Sequence, residues 1–206
     1  MAEIEVYGVI DGEFPSELRQ QINALPAAEP VELHISSPGG YLHAGVAAYN
    51  LLRGADRDVH AYLDGDAFSA ATLLVCAADY VEMPSNALMM IHEPYVPSVA
   101  PGTISELQQR LSYLKATKAQ AIEIYKDKTG LAKTRLAKML RDETYLTADQ
   151  ALEIGMCSNV IGASRHVQNL AIDQYDARDK ERLASMLAER RVPRDLESEY
   201  ARLFGE

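Results

Sequence analysis

Cysteine, long hydrophobic runs and positive charge are all in short supply in this 206-residue chain, and each shortage excludes a class of protein. There are 2 cysteines, Cys76 and Cys157, far apart in sequence and set among apolar residues. They lack metal-ligand spacing and suggest no disulfide framework, so they read as reduced core thiols. The longest stretch of low charge, Ala67 to Ala78, is too short to span a bilayer, so no membrane role is expected. Met1-Ala2-Glu3-Ile4-Glu5 is acidic and holds no apolar run of the kind a signal peptide needs, which points to the cytoplasm. Against 30 Asp and Glu there are 20 Lys and Arg, a net charge of −10, with no local basic patch. Such a surface repels phosphate backbones and removes nucleic acid from the expected partners. Internal repeats and low-complexity tracts are lacking as well.

What remains is the composition of a soluble globular protein, 48% hydrophobic and 24% charged. Residues 3 to 10 alternate Ile4, Val6 and Ile10 with other residues, as a strand ending at Asp11-Gly12 would. Pro15 and Ser16 open a helix whose Leu18, Ile22 and Leu25 share a face. Val31 to Ile35 reads as a strand stopped by Ser36-Ser37-Pro38-Gly39-Gly40, and Ala44 to Leu52 as a small-residue helix. Val59 to Leu63 is a strand before an Asp64-Gly65-Asp66 turn, and Phe68 to Ala78 a second small-residue helix. Tyr80 to Met83 and Ala87 to Ile91 are short strands. This alternation predicts a mostly parallel sheet with covering helices, whose sites form past the carboxyl ends of the strands.

After a Pro-rich loop from Pro94 to Gly102, Thr103 starts a long helix carrying Ile104, Leu107, Leu111, Leu114, Ala121, Ile122 and Tyr125 at three-four spacing. Gly130 sits at its C-cap position. A helix this long projects beyond a domain of this size, so part of its stripe is expected to meet another subunit. Leu131 to Leu140 forms a further helix, and Thr147 caps one that ends by Gly155. The core domain is expected to span 1–162. From 163 to 206 charges of both signs are dense and apolar positions sparse, which reads as a charged helical extension.

Three features bear on chemistry. Ser69, in Gly65-Asp66-Ala67-Phe68-Ser69-Ala70-Ala71-Thr72, lies at a turn entering a helix, where free N–H groups can stabilise an oxyanion. By spacing alone it reads rather as a capping or packing serine. The segment is not a G-x-S-x-G elbow, since glycine is missing on both sides. His92 leaves an apolar strand in Met89-Met90-Ile91-His92-Glu93-Pro94 and suits a general base or a plain surface histidine. Neither it nor His34, His43, His60 or His166 has metal-ligand spacing, so neither metal nor cofactor is expected. Gly39-Gly40 frees the backbone to aim N–H groups at a ligand, or simply makes a tight turn.

In their order, Ile35 to Gly40, Gly65 to Thr72, Met89 to Pro94 and Glu143-Thr144-Tyr145-Leu146-Thr147-Ala148 resemble the Clp protease proteolytic subunit family. Within it the chain looks like the phage and prophage branch, the Clp-type head maturation proteases. The resemblance implies a crotonase-like (ClpP-type) α/β fold and a serine endopeptidase working in stacked heptameric rings. It places the nucleophile on Ser69, the base on His92 and the oxyanion hole on the N–H groups of Gly39, Gly40 and Ala70. The triad acid falls on Glu143 when Leu146-Thr147-Ala148 is aligned without a gap, the favoured reading, with Asp142, reached by a shift of one residue, as the alternative. The helix from Thr103 matches the family's ring-interlocking handle, and the Pro94–Gly102 loop lies beside its substrate cleft. Polypeptides, capsid or scaffold proteins among them, are the implied substrates. The first strand begins near Met1, leaving little room for the family's axial segment, so docking to an unfoldase is not expected. Two other readings stay open: a crotonase-like acyl-CoA enzyme and a non-catalytic assembly module.

Overall fold

Apolar residues recur at every second position in the first strands of the chain, and the computed structural model, which describes residues 3–26, 29–96 and 102–162, turns that period into a largely parallel sheet. β1 (Glu3–Ile10), β2 (Val31–Gly40), β3 (Val59–Phe68), β4 (Tyr80–Pro84) and β7 (Asn159–Ile161) lie side by side in that order, every pair parallel. The connections run through α1 (Phe14–Ala24), α2 (Leu42–Arg53) and α3 (Ala71–Ala77). Ile4, Val6, Leu33, Ile35, Ala61, Leu63 and Val81 point from the sheet into one core with Leu18, Leu52, Leu73 and Leu74 of the helices.

β3 changes partner along its length. His60 to Tyr62 pair with β4, whereas Ala67 and Phe68 pair with Met89 and Met90 of β5 (Leu88–Ile91). β5 in turn pairs antiparallel with β6 (Thr144–Thr147). The sheet therefore forks, and the branch holds the carboxyl end of β3 beside that of β5.

Two strands run further than their sequences suggest. β2 continues through Ser36-Ser37-Pro38-Gly39-Gly40, and β3 through Asp64-Gly65-Asp66. Each segment has turn composition but takes up register shifts, between Ile35 and Ser37 on the β2–β3 side and between Tyr7 and Val9 on the β1–β2 side. Bulges absorb such residues without ending the ladder when partners lie on both sides. The Ser37 hydroxyl helps by donating to the Gly8 carbonyl at 2.6 Å. Correspondingly α3 starts at Ala71 rather than Phe68, because Phe68 is still in the strand and Ser69-Ala70 forms the turn.

α4 (Ile104–Thr129) is capped as its sequence foretells, by a Thr103–Glu106 capping box and by Gly130 in the left-handed conformation, φ 69°. Only from Ala121 onward is it buried, so its N-terminal half projects. α5 (Lys133–Arg141) packs back toward the fork, and α6 (Ala148–Glu153) opens with a Thr147–Gln150 capping box. Among the described residues no helix is long and apolar enough to cross a membrane. The extension expected over 163–206 lies outside the described residues.

Candidate active site

The carboxyl ends of β2, β3 and β5 converge on one edge of the sheet, and each delivers a residue marked in the sequence. Ser69 follows β3 directly and takes φ 54°, a left-handed conformation that non-glycine residues adopt at a cost of about 1–3 kcal/mol. Two backbone contacts hold it there: its N–H donates to the Met90 carbonyl at 2.7 Å, and its carbonyl accepts from Thr72 N–H at 3.0 Å. The turn aims Oγ across the fork, to 2.7 Å from His92 Nε2, just past the end of β5. The His92 ring also lies against Tyr95, with centroids 5.9 Å apart.

Gly39 presses on this turn from β2. A Cβ there would stand 2.4 Å from the Phe68 carbonyl oxygen and 2.8 Å from Ser69 Cβ, at a backbone φ of 88°. Only glycine fits. Its own N–H is engaged, donating to Ser37 Oγ at 3.1 Å. Gly40 is wedged against β1, where a Cβ would meet the Ile10 carbonyl oxygen at 2.1 Å. Among the described residues no backbone carbonyl accepts from Ala70 N–H, the first N–H of the turn into α3.

The two candidate acids differ sharply in surroundings. The Asp142 carboxylate pairs with Lys138, one turn back on α5, and lies 3.7 Å from Arg141 Nε. The hydrogen bond from Lys138 holds its carboxyl below the usual carboxylate range. Glu143 follows with φ 48°, a second left-handed non-glycine residue, and its Oε1 accepts from Tyr145 O–H at 3.3 Å. The β5–β6 register runs Met90 to Tyr145 and Ile91 to Thr144 and ends there, with His92 and Glu143 each adjoining that last pair in sequence. One carbonyl ties the two segments together: Leu140 O accepts from Glu93 N–H at 3.0 Å and from Glu143 N–H at 3.3 Å.

A cleft of about 180 Å³ opens in front of Ser69 and His92. Gly40 and Ala70 line it near the serine, while Leu42, Tyr95, Leu114 and Ala121 give it apolar walls. Tyr125 also lines it, and Thr72 is buried behind the Ser69 turn; neither has a chemical signature in the sequence. Thr72 Oγ1 donates to the Ser69 carbonyl at 2.6 Å and stands 2.6 Å from the Tyr125 hydroxyl, with Thr72 and Tyr125 both buried. The only sequence cue for Thr72 is its place three residues after Ser69, and Tyr125 is hidden in the apolar stripe of α4.

A second histidine–carboxylate pair links β2 and β3. His34 Nδ1 lies 2.8 Å from Asp64 Oδ2, which also accepts from Tyr7 O–H at 2.7 Å. Burial and then that hydrogen bond push the Tyr7 phenol well above its ordinary value, so the group is a cross-strand tie joining β1, β2 and β3.

A serine in hydrogen-bond contact with a histidine at the carboxyl edge of a parallel sheet is an arrangement that suits the chemistry of serine hydrolases of α/β build. The Clp protease family model matches residues 2–164, and the chain belongs to that family. It is 29% identical over 161 residues to ATP-dependent Clp protease proteolytic subunit 1 of Corynebacterium jeikeium, covering 76% of this chain and 85% of that one. The subunit 1 of Chlamydia muridarum is 27% identical over 135 residues, covering 65% of this chain and 70% of its own. The subunit 2 of Chlamydia trachomatis serovar D is 26% identical over 144 residues, covering 69% and 70%.

Proposed function

We propose that the protein is a serine endopeptidase in which Ser69 is the nucleophile, His92 the general base and Glu143 the acid that orients the imidazole. The observation that carries this reading is the 2.7 Å contact between Ser69 Oγ and His92 Nε2 at the mouth of an apolar cleft. His92 takes the Ser69 proton as Oγ attacks the scissile carbonyl carbon. The oxyanion that forms is held by the N–H groups of Ala70 and Gly40. Gly39, whose N–H already serves Ser37, contributes by letting the strand lie against the nucleophile turn. His92 returns the proton to the leaving amine, and water then cleaves the acyl-enzyme by the same route. Glu143 is preferred to Asp142 because Asp142 is engaged by Lys138 and Arg141, while Glu143 directly precedes the last β5–β6 pair, which His92 directly follows.

The substrates are polypeptides that enter the cleft extended, and the working form is a ring-shaped homo-oligomer, heptameric as the family resemblance implies, joined through the projecting half of α4. Within the family the reading follows the resemblance to phage and prophage head maturation proteases, which makes capsid or scaffold proteins in the cytoplasm the physiological targets. The peptidase domain in this reading is 1–162, and the extension expected over 163–206 lies outside the described residues. Hydrolysis of a short peptide is downhill and needs no ATP. In an assembled sample a fluorogenic tripeptide amide should therefore be cleaved without nucleotide. Ser69→Ala and His92→Ala should each lower the rate on the order of 10⁴-fold. Equal rates for wild type and Ser69→Ala would sink the reading.

A further inference from the structure

The hydroxyl bonds beneath Ser69 have only one consistent proton arrangement. A carbonyl has no hydrogen to give, so the 2.6 Å contact to Ser69 O uses the single proton of Thr72. The equally short contact between Thr72 Oγ1 and the Tyr125 hydroxyl then has Tyr125 as its donor. The bonds run one way, from Tyr125 O–H to Thr72 Oγ1 and from Thr72 O–H to the Ser69 carbonyl. Thr72 is 0% and Tyr125 3% exposed, so water cannot substitute for either partner.

The Ser69 carbonyl belongs to the same peptide unit as Ala70 N–H. That unit is planar and trans, so the direction of its C=O fixes the opposite direction of its N–H. Pinning the carbonyl downward into α3 therefore aims Ala70 N–H up into the cleft. The preceding residue is held at a strained φ of 54°, and a peptide beside it is free to swing unless something over-determines it. Thr72 N–H supplies one restraint at 3.0 Å, and the hydroxyl chain anchored on α4 supplies the second.

We propose that Thr72 and Tyr125 are positioning residues for the oxyanion hole, acting through the Ser69–Ala70 peptide. This inference rests on the assignment of Ser69 and Ala70 given above. Neither side chain touches the reacting atoms. Their effect falls on the tetrahedral state, which needs the Ala70 N–H, and little on binding of the ground-state peptide.

The test compares wild type, Thr72→Val, Thr72→Ser and Tyr125→Phe in the full-length assembled protein. Each is assayed with a fluorogenic tripeptide amide and with the boronic acid of the same tripeptide, which forms a tetrahedral adduct. Thr72→Val keeps shape and removes the hydroxyl. It should lower kcat by roughly 10-fold, less than the full loss of an oxyanion donor, with KM within about twofold. Boronate affinity should fall in parallel with kcat. Thr72→Ser should restore both, and Tyr125→Phe should give a smaller loss of the same kind. A merely structural role would move thermal stability without this split between kcat and KM, and that pattern would overturn the proposal. If wild type cleaves the peptide and Ser69→Ala does not, yet Thr72→Val matches wild type in kcat and boronate affinity, the positioning role alone is refuted. If wild type neither cleaves the peptide nor binds the boronate, the nucleophile assignment falls and the positioning role falls with it.

Discussion

A serine gains nucleophilic character from the groups that surround it, and at the residue scale the surroundings of Ser69 are built from separate strands. β3 sets its position and β5 sets His92, while Glu143, the proposed acid, directly precedes β6. If Glu143 is the acid, as proposed, replacing it by Gln should lower kcat on the order of 10²-fold or more, measured with the tripeptide amide. Asp142→Asn should leave kcat within about twofold, since that carboxylate is bonded to Lys138. The reverse pattern would move the acid to Asp142. Ser69, His92 and the Glu143/Asp142 pair, with Glu143 favoured, were singled out by sequence alone. The 2.7 Å Ser69–His92 contact and the capture of Asp142 by Lys138 and Arg141 were not legible there, because they depend on how separate elements pack.

Cys76 offers a contrast in nucleophile chemistry. Complete burial pushes its thiol up to about 12 from an ordinary value of 9.0, against a small opposing pull from Lys128. A thiolate is the reactive form, so iodoacetamide at pH 8 should not modify Cys76 in the folded protein. A raised acid pKa means that the folded state binds this proton more tightly than the unfolded chain. The stabilisation from Cys76 is therefore complete below about 9 and is lost as pH rises toward about 12. Urea midpoints should fall across that interval, and Cys76→Ala should flatten the decline. An unchanged slope in Cys76→Ala would assign the alkaline loss to other groups.

At the scale of elements, the fork in the sheet is what assembles the site. β3 leaves β4 after Tyr62 and takes β5 as partner at Ala67, which brings His92 to the serine. Alternating apolar positions revealed most of the strands, and the caps at Thr103, Gly130 and Thr147 revealed the helix ends. The continuation of β2 through Gly40 and of β3 through Phe68 was not visible. Ser36 to Gly40 and Asp64 to Asp66 have turn chemistry, and only neighbouring strands on both sides override it. The same closeness makes a sharp prediction for Gly39→Ala. Its methyl would fall 2.4 Å from the Phe68 carbonyl oxygen, so β2 must withdraw from the nucleophile turn. The variant should lose about 1–3 kcal/mol of stability and nearly all peptidase activity, read by urea unfolding and by the tripeptide assay. Wild-type activity in Gly39→Ala would show that the close approach is dispensable.

For the whole molecule, the feature that a single chain leaves uncovered is the projecting half of α4. Ile104 is 76% exposed, Leu107 43% and Leu111 51%, an apolar stripe that a lone copy has no reason to carry. The three-four spacing made this stripe legible in the sequence, as did its excess over the length that one domain can bury. Leu111→Glu should reduce the oligomer measured by light scattering, and peptidase activity should fall with it. Retention of the wild-type mass would remove α4 from the interface. Ser69→Ala should assemble normally, which separates building the particle from running its chemistry.

The central claim is that Ser69 is an activated nucleophile, and a fluorophosphonate probe tests it most directly. Incubated with the assembled protein and followed by peptide mass mapping, the probe should add one adduct per chain, on Ser69, and none in Ser69→Ala or in heat-unfolded protein. An adduct on another residue, or equal labelling of wild type and Ser69→Ala, would contradict the account.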